Sequence, residues 1–304
     1  MNNLYSTLNY NEISEVEGNR PLHFELFSSI EPYNQVYGVS SQNQAYFGLN
    51  SPFWLPNFLY QYSNIEKIED SFTQLIEQCK NQSIDKITIR LAPHFYQNSI
   101  VSSEFILKKM GFNIINTALW QTIPCQGFLN KTSYIDSLKH SSRKVIKKFK
   151  DHSISLLEVN NSDIKSIETT YELINKNRLS INTKLKYTLS YLLKLIDSFP
   201  NNIRLFNLII DEKLVAAAIC HVTQDKIMYV AAWGDYGHEL EQSPMYNFAT
   251  ELIDLCIQER VCYLDFGISS DLNLYTPKLH SFKQNIGCET FTQNTFSLNL
   301  SCND

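Results

Sequence analysis

The chain has 304 residues and a formal net charge of -5, and 43% of its residues are hydrophobic while 19% are charged. This composition is typical of a folded globular protein and excludes an intrinsically disordered chain. The acidic balance argues against a surface built mainly for nucleic acid, because neutralising a phosphate backbone needs clustered Lys and Arg. The length is sufficient for two domains of ordinary size.

The cysteines and the N-terminus predict a reduced protein of the cytoplasm. The 7 cysteines are odd in number, and no two of them have the spacing of a zinc or redox motif. No grouping of His, Cys, Asp and Glu has metal-ligand spacing, so we expect no metal cofactor. The first residues lack the basic and apolar regions of a signal peptide, and no apolar run is long enough to span a bilayer.

The first half of the chain predicts three strands followed by alternating helices and strands. Aromatic and β-branched residues indicate the strands, and apolar residues at helical spacing indicate the helices. In chain order, the predicted elements are strands at 22–29, 35–41 and 44–50, a helix at 65–81, a strand at 85–93, a helix at 102–112 and a strand at 113–124.

A strongly basic helix is predicted next, over residues 135–149. It combines one apolar stripe with a series of cationic side chains. The cations on this helix are His140, Arg143, Lys144, Lys147 and Lys148, and Lys150 follows directly after it. Such a face is either simply solvated or turned towards an anion at a joint between two domains.

The second half of the chain repeats the mixture of antiparallel strands and strand–helix–strand order. Its predicted elements are a strand at 153–159, helices at 162–178 and 185–199, a three-stranded meander at 203–234, a helix at 243–260, a strand at 261–267, a helix at 277–287 and a strand at 289–300. This order predicts the α+β class with two units of similar plan. We place the two units at residues 1–130 and 131–304.

The second half resembles the fold of the GNAT acyltransferases over most of residues 153–300. The segments "DEKLVAAAICHV" and "DKIMYVAAWG" resemble the paired central strands of that fold. The ending "YLDFG…HSFKQNIG" is similar to the "DFG…FK…FG" ending of the Fem-type peptidyltransferases and their double-GNAT relatives. "SSRKVIKKFK" resembles the basic helix that opens their second domain, and "LAPHFY" with "LKKMGF" fits the close of their first. The resemblance implies two tandem GNAT-like units, of which the first is degenerate and the second catalytic.

The resemblance also implies a donor site at the start of the helix after the fourth strand, where free amides attract a pyrophosphate. The residues implied there are Ala232, Trp233, Ser243, Met245, Tyr246 and Asn247. Ser243 suits the cap of this helix and Pro244 its first turn. The loop "GDYGHELEQSP" departs from the glycine-rich pattern with Arg or Gln that acetyl-CoA GNATs carry. This departure leaves three interpretations open: a CoA donor, an aminoacyl-tRNA donor, and a capped helix that binds no ligand.

Three residues near the end of the chain are the catalytic candidates. Asp265 ends the strand beside the donor strand, and we expect it to accept the proton of the substrate amine or to hold the amine; alternatively it caps the following turn or pairs with a lysine. Tyr275 is a candidate to protonate a leaving thiolate, and His280 is a candidate base. Lys283 is expected to point away from the sheet into the cleft and to bind a phosphate or carboxylate, or else to be a solvated helix lysine.

Four further residues complete the predicted substrate site, which also includes Lys283. Tyr46 and Asn50 belong to an aromatic-rich stretch that either packs a core or forms a platform for a sugar or nucleotide. His94 follows a strand and is expected to line a groove between the domains. Arg143 belongs to the basic helix.

The expected function is transfer of an acyl group from an acyl-CoA, with acetyl-CoA as the expected donor, to the amine of a small molecule. A nucleotide-linked amino sugar is the acceptor that the resemblance suggests. The first alternative is a Fem-like transferase that uses a charged tRNA and acts on a cell-wall precursor; the basic helix favours it and the acidic balance opposes it. The second alternative is a degenerate GNAT pair that only binds a ligand, which the missing glycine-rich loop favours.

Overall fold

The computed structural model describes residues 20–26, 34–48, 64–97, 99–185, 188–223, 226–236, 243–270 and 276–300. The described residues form two compact units. Unit 1 takes them from Met1–Trp120, Ser270–Tyr275 and Phe291–Asp304, and unit 2 takes them from Gln121–Ser269 and Thr276–Thr290.

Unit 1 is a mixed sheet with two helices. Its elements are β1 (Arg20–Leu26), β2 (Asn34–Ser41), β3 (Gln44–Phe47), α1 (Ile65–Asn81), β4 (Lys86–Arg90), α2 (Ser99–Lys109), the first part of β5 (Asn113–Pro124) and most of β11 (Glu289–Asn299). The strands lie in the order β1-β2-β3-β4-β11-β5. β1, β2 and β3 are antiparallel, β4 is parallel to β3, and β11 is antiparallel to β4.

Unit 2 has the same plan with more helices. Its elements are the end of β5, α3 (Lys131–Ser137), α4 (His140–Lys147), β6 (Ile154–Glu158), α5 (Ile164–Ser180), α6 (Leu189–Ser198), β7 (Ile203–Ile210), β8 (Lys213–Val222), β9 (Ile227–Asp235), α7 (Met245–Gln258), β10 (Tyr263–Ser270) and α8 (Pro277–Asn285). The strands lie in the order β5-β10-β9-β8-β7-β6. β6 to β9 are antiparallel in sequence order, and β10 is parallel to β9.

Each unit therefore contains three antiparallel strands, a helix, a strand parallel to the third, and a second helix. The strand after that second helix is divided between the two units in both cases. β11 pairs with β4 of unit 1, where Phe296 faces Ile89. The last residues of β5, from Gln121, belong to unit 2. The predicted domain segments, 1–130 and 131–304, stay a prediction.

Local signals explain why the long helices form where they do. α1 begins after Asn64, whose side chain accepts the Glu66 N–H at 2.8 Å, and this is the bond expected of an N-cap. Its buried residues Ile68, Phe72 and Leu75 recur at helical spacing and face the sheet. α5 begins in the same way, since the Asp163 carboxylate accepts the Ser166 N–H at 3.1 Å.

The predicted basic helix over 135–149 is in fact two helices, α3 and α4. The chain is extended at Leu138 and Lys139, with ψ values of 156° and 150°. Leu138 is buried at this break. The break allows the Ser142 hydroxyl to donate to the main-chain oxygen of Asn285, at the end of α8, at 2.7 Å. Tertiary contacts therefore override a periodicity that predicts one helix.

The described part of the chain lacks membrane-spanning helices, disulfides and metal-binding clusters. No helix there is long and apolar enough to cross a membrane. Its cysteines are free thiols, and no group of three His, Cys, Asp or Glu residues there could hold a metal ion.

The buried histidine of β8 predicts a loss of stability in acid. His221 has no exposed surface, and burial lowers its pKa to about 3. The unfolded chain binds this proton near pH 6.5, so between pH 6.5 and 3 the unfolded state holds more protons than the native state. We expect the free energy of unfolding to fall by up to about 1.4 kcal/mol per pH unit in this window.

The measurement is urea denaturation from pH 7 to pH 4 of the wild-type protein and of His221→Gln. The variant should show a flatter dependence on pH, whatever its stability at pH 7. His140→Gln, on exposed α4, is the matched control and should keep the wild-type slope. Equal slopes for wild type and His221→Gln would contradict the assignment.

Candidate functional site

The central strands of unit 2 separate at their carboxyl ends. The parallel pairing of β9 and β10 is short: it runs from Ile227 to Tyr229 in β9 and from Tyr263 to Asp265 in β10. On its other side, β9 contains one extra residue, Ala231, because the register with β8 shifts there. A bulge of this kind bends a strand and increases its twist. The described strands therefore splay beyond Tyr229, and a wedge opens between them.

Aromatic side chains line this wedge. The Trp233 ring lies 4.9 Å from that of Phe266 and 5.9 Å from that of Phe282, measured between centroids. Tyr246 stands edge-on to Phe282 at 5.2 Å. These distances lie in the range at which aromatic pairs attract. The wedge thus has an apolar wall contributed by β9, β10, α7 and α8.

A cleft of ≈ 200 Å³ opens beside this wall. Its apolar lining consists of Trp233, Met245, Leu279 and Phe282. Its polar lining consists of Asn177, Arg178, Asp235 and Ser243, and Gly234 completes it. A concave apolar surface with a few convergent polar groups is the usual form of a small-molecule site.

The Asp235 carboxylate lies in this cleft and is bonded to Ser243, which stands two residues before α7. Asp235 is 7% exposed. Its Oδ2 accepts the Ser243 hydroxyl at 2.9 Å, and its Oδ1 accepts the Asn177 amide at 3.2 Å. Ser243 Oγ also accepts the Met245 N–H at 3.4 Å. α7 has no acidic residue in its first turn, and Ser243 connects the Asp235 carboxylate to it, at the end of a helix that favours negative charge.

Arg178 is the cation of the cleft. Its Nη2 donates to the main-chain oxygen of Trp233 at 3.2 Å, and its burial lowers the pKa of the guanidinium. Within the part of the chain that the structure describes, Arg178 forms no ion pair. A guanidinium has five N–H donors, and a desolvated cation without a counter-ion is costly. Arg178 is therefore suited to bind an anionic group of a ligand.

Asp265 shapes the end of β10. Its side chain is fully buried, and its Oδ1 accepts the Gly267 N–H at 2.7 Å. Gly267 has a φ of +69°, and a Cβ added there would lie 2.9 Å from the Tyr229 ring. Glycine is therefore required for both the backbone conformation and the packing. Asp265 is not among the residues that line the cleft, and its predicted role as proton acceptor stays a prediction.

Lys283 holds the same turn from the other side. Its Nζ donates to the main-chain oxygens of Phe266 at 2.7 Å, Gly267 at 2.9 Å and Ile268 at 2.8 Å. Lys283 is 2% exposed, and burial lowers its pKa to about 8. All three ammonium protons are thus bound to β10. The prediction that Lys283 points away from the sheet into the cleft is wrong, because main-chain oxygens attract it inwards.

The remaining predicted donor residues lie at or behind the cleft. Trp233, Ser243 and Met245 line it, whereas Ala232 and Asn247 are buried beneath the surface. The Asn247 amide donates to the main-chain oxygen of Ile146 in α4 at 3.3 Å. The structure also corrects the cap of α7, since Pro244 is the N-cap residue and Ser243 precedes it.

The predicted catalytic and substrate residues are dispersed. His280 is half-buried in α8, with its Nδ1 3.1 Å from Ser269 Oγ. In unit 1, the Tyr46 hydroxyl donates to Gln44, and the His94 ring packs on Phe291 at 5.0 Å. Arg143 lies in α4, where its Nη1 donates to the main-chain oxygen of Asp136. Tyr275 and Asn50 lie outside the described residues, as do Phe53 and Trp54 of the predicted aromatic platform.

Three polar residues of the cleft, Asn177, Arg178 and Asp235, are absent from the predicted site. Arg178 sits in the last turn of α5, where a basic residue is usual because it complements the helix dipole. Asp235 directly follows a glycine at a strand end, which is typical of an ordinary turn. Neither position carries a signal in sequence, because only the tertiary fold brings α5 to the end of β9.

No protein-family model matches the sequence, and no curated protein matches it. Solved structures do match the fold. FemX superposes with a TM-score of 0.73 at 12% identity, over 98% of this chain and 92% of that chain. A C-terminal domain from Agrobacterium fabrum, assigned to a putative lysylphosphatidylglycerol synthetase, gives 0.62 at 13% identity, over 97% and 88%. A tandem GNAT protein from the clavulanic acid biosynthesis pathway, solved without AcCoA, gives 0.50 at 8% identity, over 97% and 88%.

The chain has a tandem GNAT fold. This confirms the predicted α+β class with two GNAT-like units and the resemblance to Fem-type proteins in fold. The splayed strands β9 and β10 and the bulge in β9 lie in the second GNAT unit. The identities of 8–13% extend the likeness no further than the fold.

The buried ammonium of Lys283 predicts a large effect on stability. Lys283→Met keeps the length of the side chain but removes the ammonium that donates to three main-chain oxygens, of which those of Phe266 and Gly267 are buried. We expect a loss of about 3 kcal/mol in the free energy of unfolding, since each unsatisfied buried acceptor is costly. The measurement is urea denaturation at pH 7.

Lys278→Met, on the exposed first turn of the same helix, is the matched control and should change stability by less than about 0.5 kcal/mol. Similar stability of Lys283→Met and Lys278→Met would contradict the hydrogen-bonded role of Lys283.

Proposed function

We propose that the protein is an aminoacyltransferase that moves an aminoacyl group from a charged tRNA to the amine of a small acceptor, for which a cell-wall precursor is the best candidate. The observation that carries this proposal is the Asp235 carboxylate at the start of α7. In a CoA-dependent GNAT this position would receive the donor's pyrophosphate. Here a pyrophosphate would meet a carboxylate already bonded to Ser243, and like charges at such a distance repel.

The likeness in fold supports the same donor. FemX matches over nearly the whole of both chains, whereas the tandem GNAT protein matches with a lower TM-score. The Fem-type resemblance of the sequence implies a charged tRNA as donor. The order of the two expected donors is therefore reversed, with acyl-CoA as the second candidate. The splayed strands and the bulge are compatible with either donor and do not distinguish between them.

The basic segment supports a nucleic-acid donor as well. Residues 139–150 contain Lys or Arg at six positions and no Asp or Glu. Lys144, Lys147 and Lys148 are exposed. α4 is fixed to the first turn of α7 by the Asn247–Ile146 hydrogen bond. This bond keeps the cations near the helix that begins at the cleft, where they can contact phosphates.

The proposed chemistry needs positioning more than reactive side chains. An aminoacyl ester is already activated, so the enzyme has to hold the amine against the carbonyl and stabilise the oxyanion. In our proposal Arg178 binds a phosphate near the end of the donor. The aromatic wall of Trp233 and Phe282 offers a stacking surface for its terminal base.

Removing the cation of the cleft should weaken donor binding. Arg178→Gln should raise the Kd for charged tRNA by roughly 10- to 100-fold, the range for a lost hydrogen bond to a charged group. Arg178→Lys should recover part of the affinity, since it keeps the charge without the planar fork. The measurement is filter binding at fixed salt. Lys176→Gln, on the exposed face of the same helix, should bind as wild type, and equal binding by Arg178→Gln would argue against this role.

The identity of the donor is tested by ligand-dependent stability and by salt. Charged tRNA should raise the melting temperature and CoA should not, because a ligand of the native state stabilises it by mass action.

Lys144→Gln with Lys147→Gln should weaken tRNA binding and lower the slope of log K against log salt by roughly 0.7–0.9 for each phosphate that is no longer neutralised. Lys165→Gln with Lys278→Gln is a control of equal charge. Stabilisation by CoA alone would overturn the proposal in favour of the second candidate.

A further inference from the structure

The carboxylate in the lining of the cleft is held in a fixed direction. Asp235, Ser243 and Asn177 all line the cleft. Asp235 Oδ2 accepts the Ser243 hydroxyl at 2.9 Å, and its Oδ1 accepts the Asn177 amide at 3.2 Å. Both donors are neutral, so these two bonds orient the carboxylate without compensating its charge. Asp235 is only 7% exposed, and at so dry a position a carboxylate attracts a cationic group of a ligand strongly.

The packing of α5 on the end of β9 gives this carboxylate its direction. Asn177 also donates to the main-chain oxygen of Asp235 at 2.9 Å, and Arg178 donates to that of Trp233 at 3.2 Å. The helix approaches the strand closely, because a Cβ added at Gly234 would lie 2.7 Å from the Cβ, Cγ and Oδ1 atoms of Asn177. A larger residue at 234 would therefore displace Asn177 and disturb its bond to the carboxylate.

The cleft thus offers a ligand both signs of charge. Arg178 supplies a cation from α5, Asp235 supplies a carboxylate from the end of β9, and both side chains line the same cleft. A charged tRNA carries the matching groups, since a free α-ammonium stands beside its ester and phosphates follow along the nucleotide. An acetyl-CoA also carries phosphates, but its acetyl group has no ammonium. The α-ammonium therefore separates the two classes of donor, and a carboxylate is suited to recognise it through a charge-assisted hydrogen bond.

We propose that Asp235 binds the α-ammonium of the aminoacyl group and so selects aminoacyl donors over acyl donors that lack an amine. This inference rests on the proposed transferase function and names the group by which its donor is recognised. The α-ammonium takes no part in the transfer, in which the acceptor amine attacks the ester carbonyl, so it stays available for recognition. Asn177 and Ser243 are positioning residues, because they act through the carboxylate.

The first test removes the charge from the ligand and leaves the protein intact. The probes are tRNA pairs loaded in vitro, alanyl-tRNA with lactyl-tRNA and phenylalanyl-tRNA with phenyllactyl-tRNA, in which a hydroxyl replaces the ammonium at nearly the same size. In filter binding at fixed salt, the wild-type protein should bind the aminoacyl form roughly 10- to 100-fold more tightly, the range for a hydrogen bond to a charged group. Equal Kd values within both pairs would overturn the proposal and leave the proposed function standing.

Variants locate the preference at one side chain. Asp235→Asn keeps the size of the side chain and one acceptor oxygen but removes the charge, so the ratio of the two Kd values should fall to near unity. Asp235→Glu should keep part of the preference, and Gly234→Ala should reduce it by displacing Asn177. Asp197→Asn, on exposed α6, is the matched control and should keep the wild-type ratio. The ratio does not depend on the fraction of folded protein, so a loss of stability alone would not change it.

The remaining outcomes separate this inference from the proposed function. A preference that persists in Asp235→Asn would refute the role of Asp235 while the tRNA donor stands. If the ammonium at Asp235 came from the acceptor instead, the two tRNA forms would bind equally and Asp235→Asn would raise only the acceptor KM. If neither tRNA form binds and CoA stabilises the protein, the proposed function fails and this inference fails with it.

Discussion

The shape of the cleft depends on one ammonium group that binds three successive main-chain oxygens. In a regular strand, neighbouring carbonyls point to opposite sides, so three in sequence cannot reach one donor. Lys283 reaches those of Phe266, Gly267 and Ile268, which requires the strand to turn at Gly267. The positive φ of Gly267 provides the turn, and the Asp265 carboxylate fixes its amide. The "DFG" sequence and the distant lysine are therefore parts of one structure.

This turn has consequences on both sides of β10. Parallel pairing with β9 stops at Asp265, so the strands separate where the cleft begins. The Trp233 ring packs against Phe266 and Phe282 in the space that this leaves, which keeps the wedge from closing. The helix that carries Lys283 also carries Leu279 and Phe282 into the cleft lining. This helix ends in a Schellman arrangement, in which the Gly287 N–H donates to Gln284 and the Cys288 N–H donates to Lys283.

How far the sequence predicts this structure depends on whether local or tertiary forces decide each feature. The helix at 65–81 and the strand at 113–124 are found with the predicted bounds, because periodicity and capping act locally. Gly287 ends α8 as a glycine past a helix end should. The break at Leu138 is not predictable, since a contact with distant α8 decides it. The predicted direction of Lys283 is wrong for a similar reason: lysine is solvated by default, and only the turn in β10 offers it three acceptors.

The charges of the cleft are arranged in a way that bears on the donor. Arg178 belongs to α5, whereas Asp235 lies beside the start of α7. The Asn177 amide, also in α5, donates to the main-chain oxygen and to the carboxylate of Asp235. A ligand phosphate is therefore attracted towards α5 and repelled from α7, the reverse of the field at an open helix start. Among the cleft residues that the structure describes, Arg178 is the cationic anchor for a short nucleotide donor. A donor with phosphates along its length can also contact the exposed cations of α4, which Asn247 and Ser142 tie to α7 and α8. In the proposed function, affinity for the donor is therefore generated mostly outside the cleft, and the cleft itself is left to orient the reacting ester.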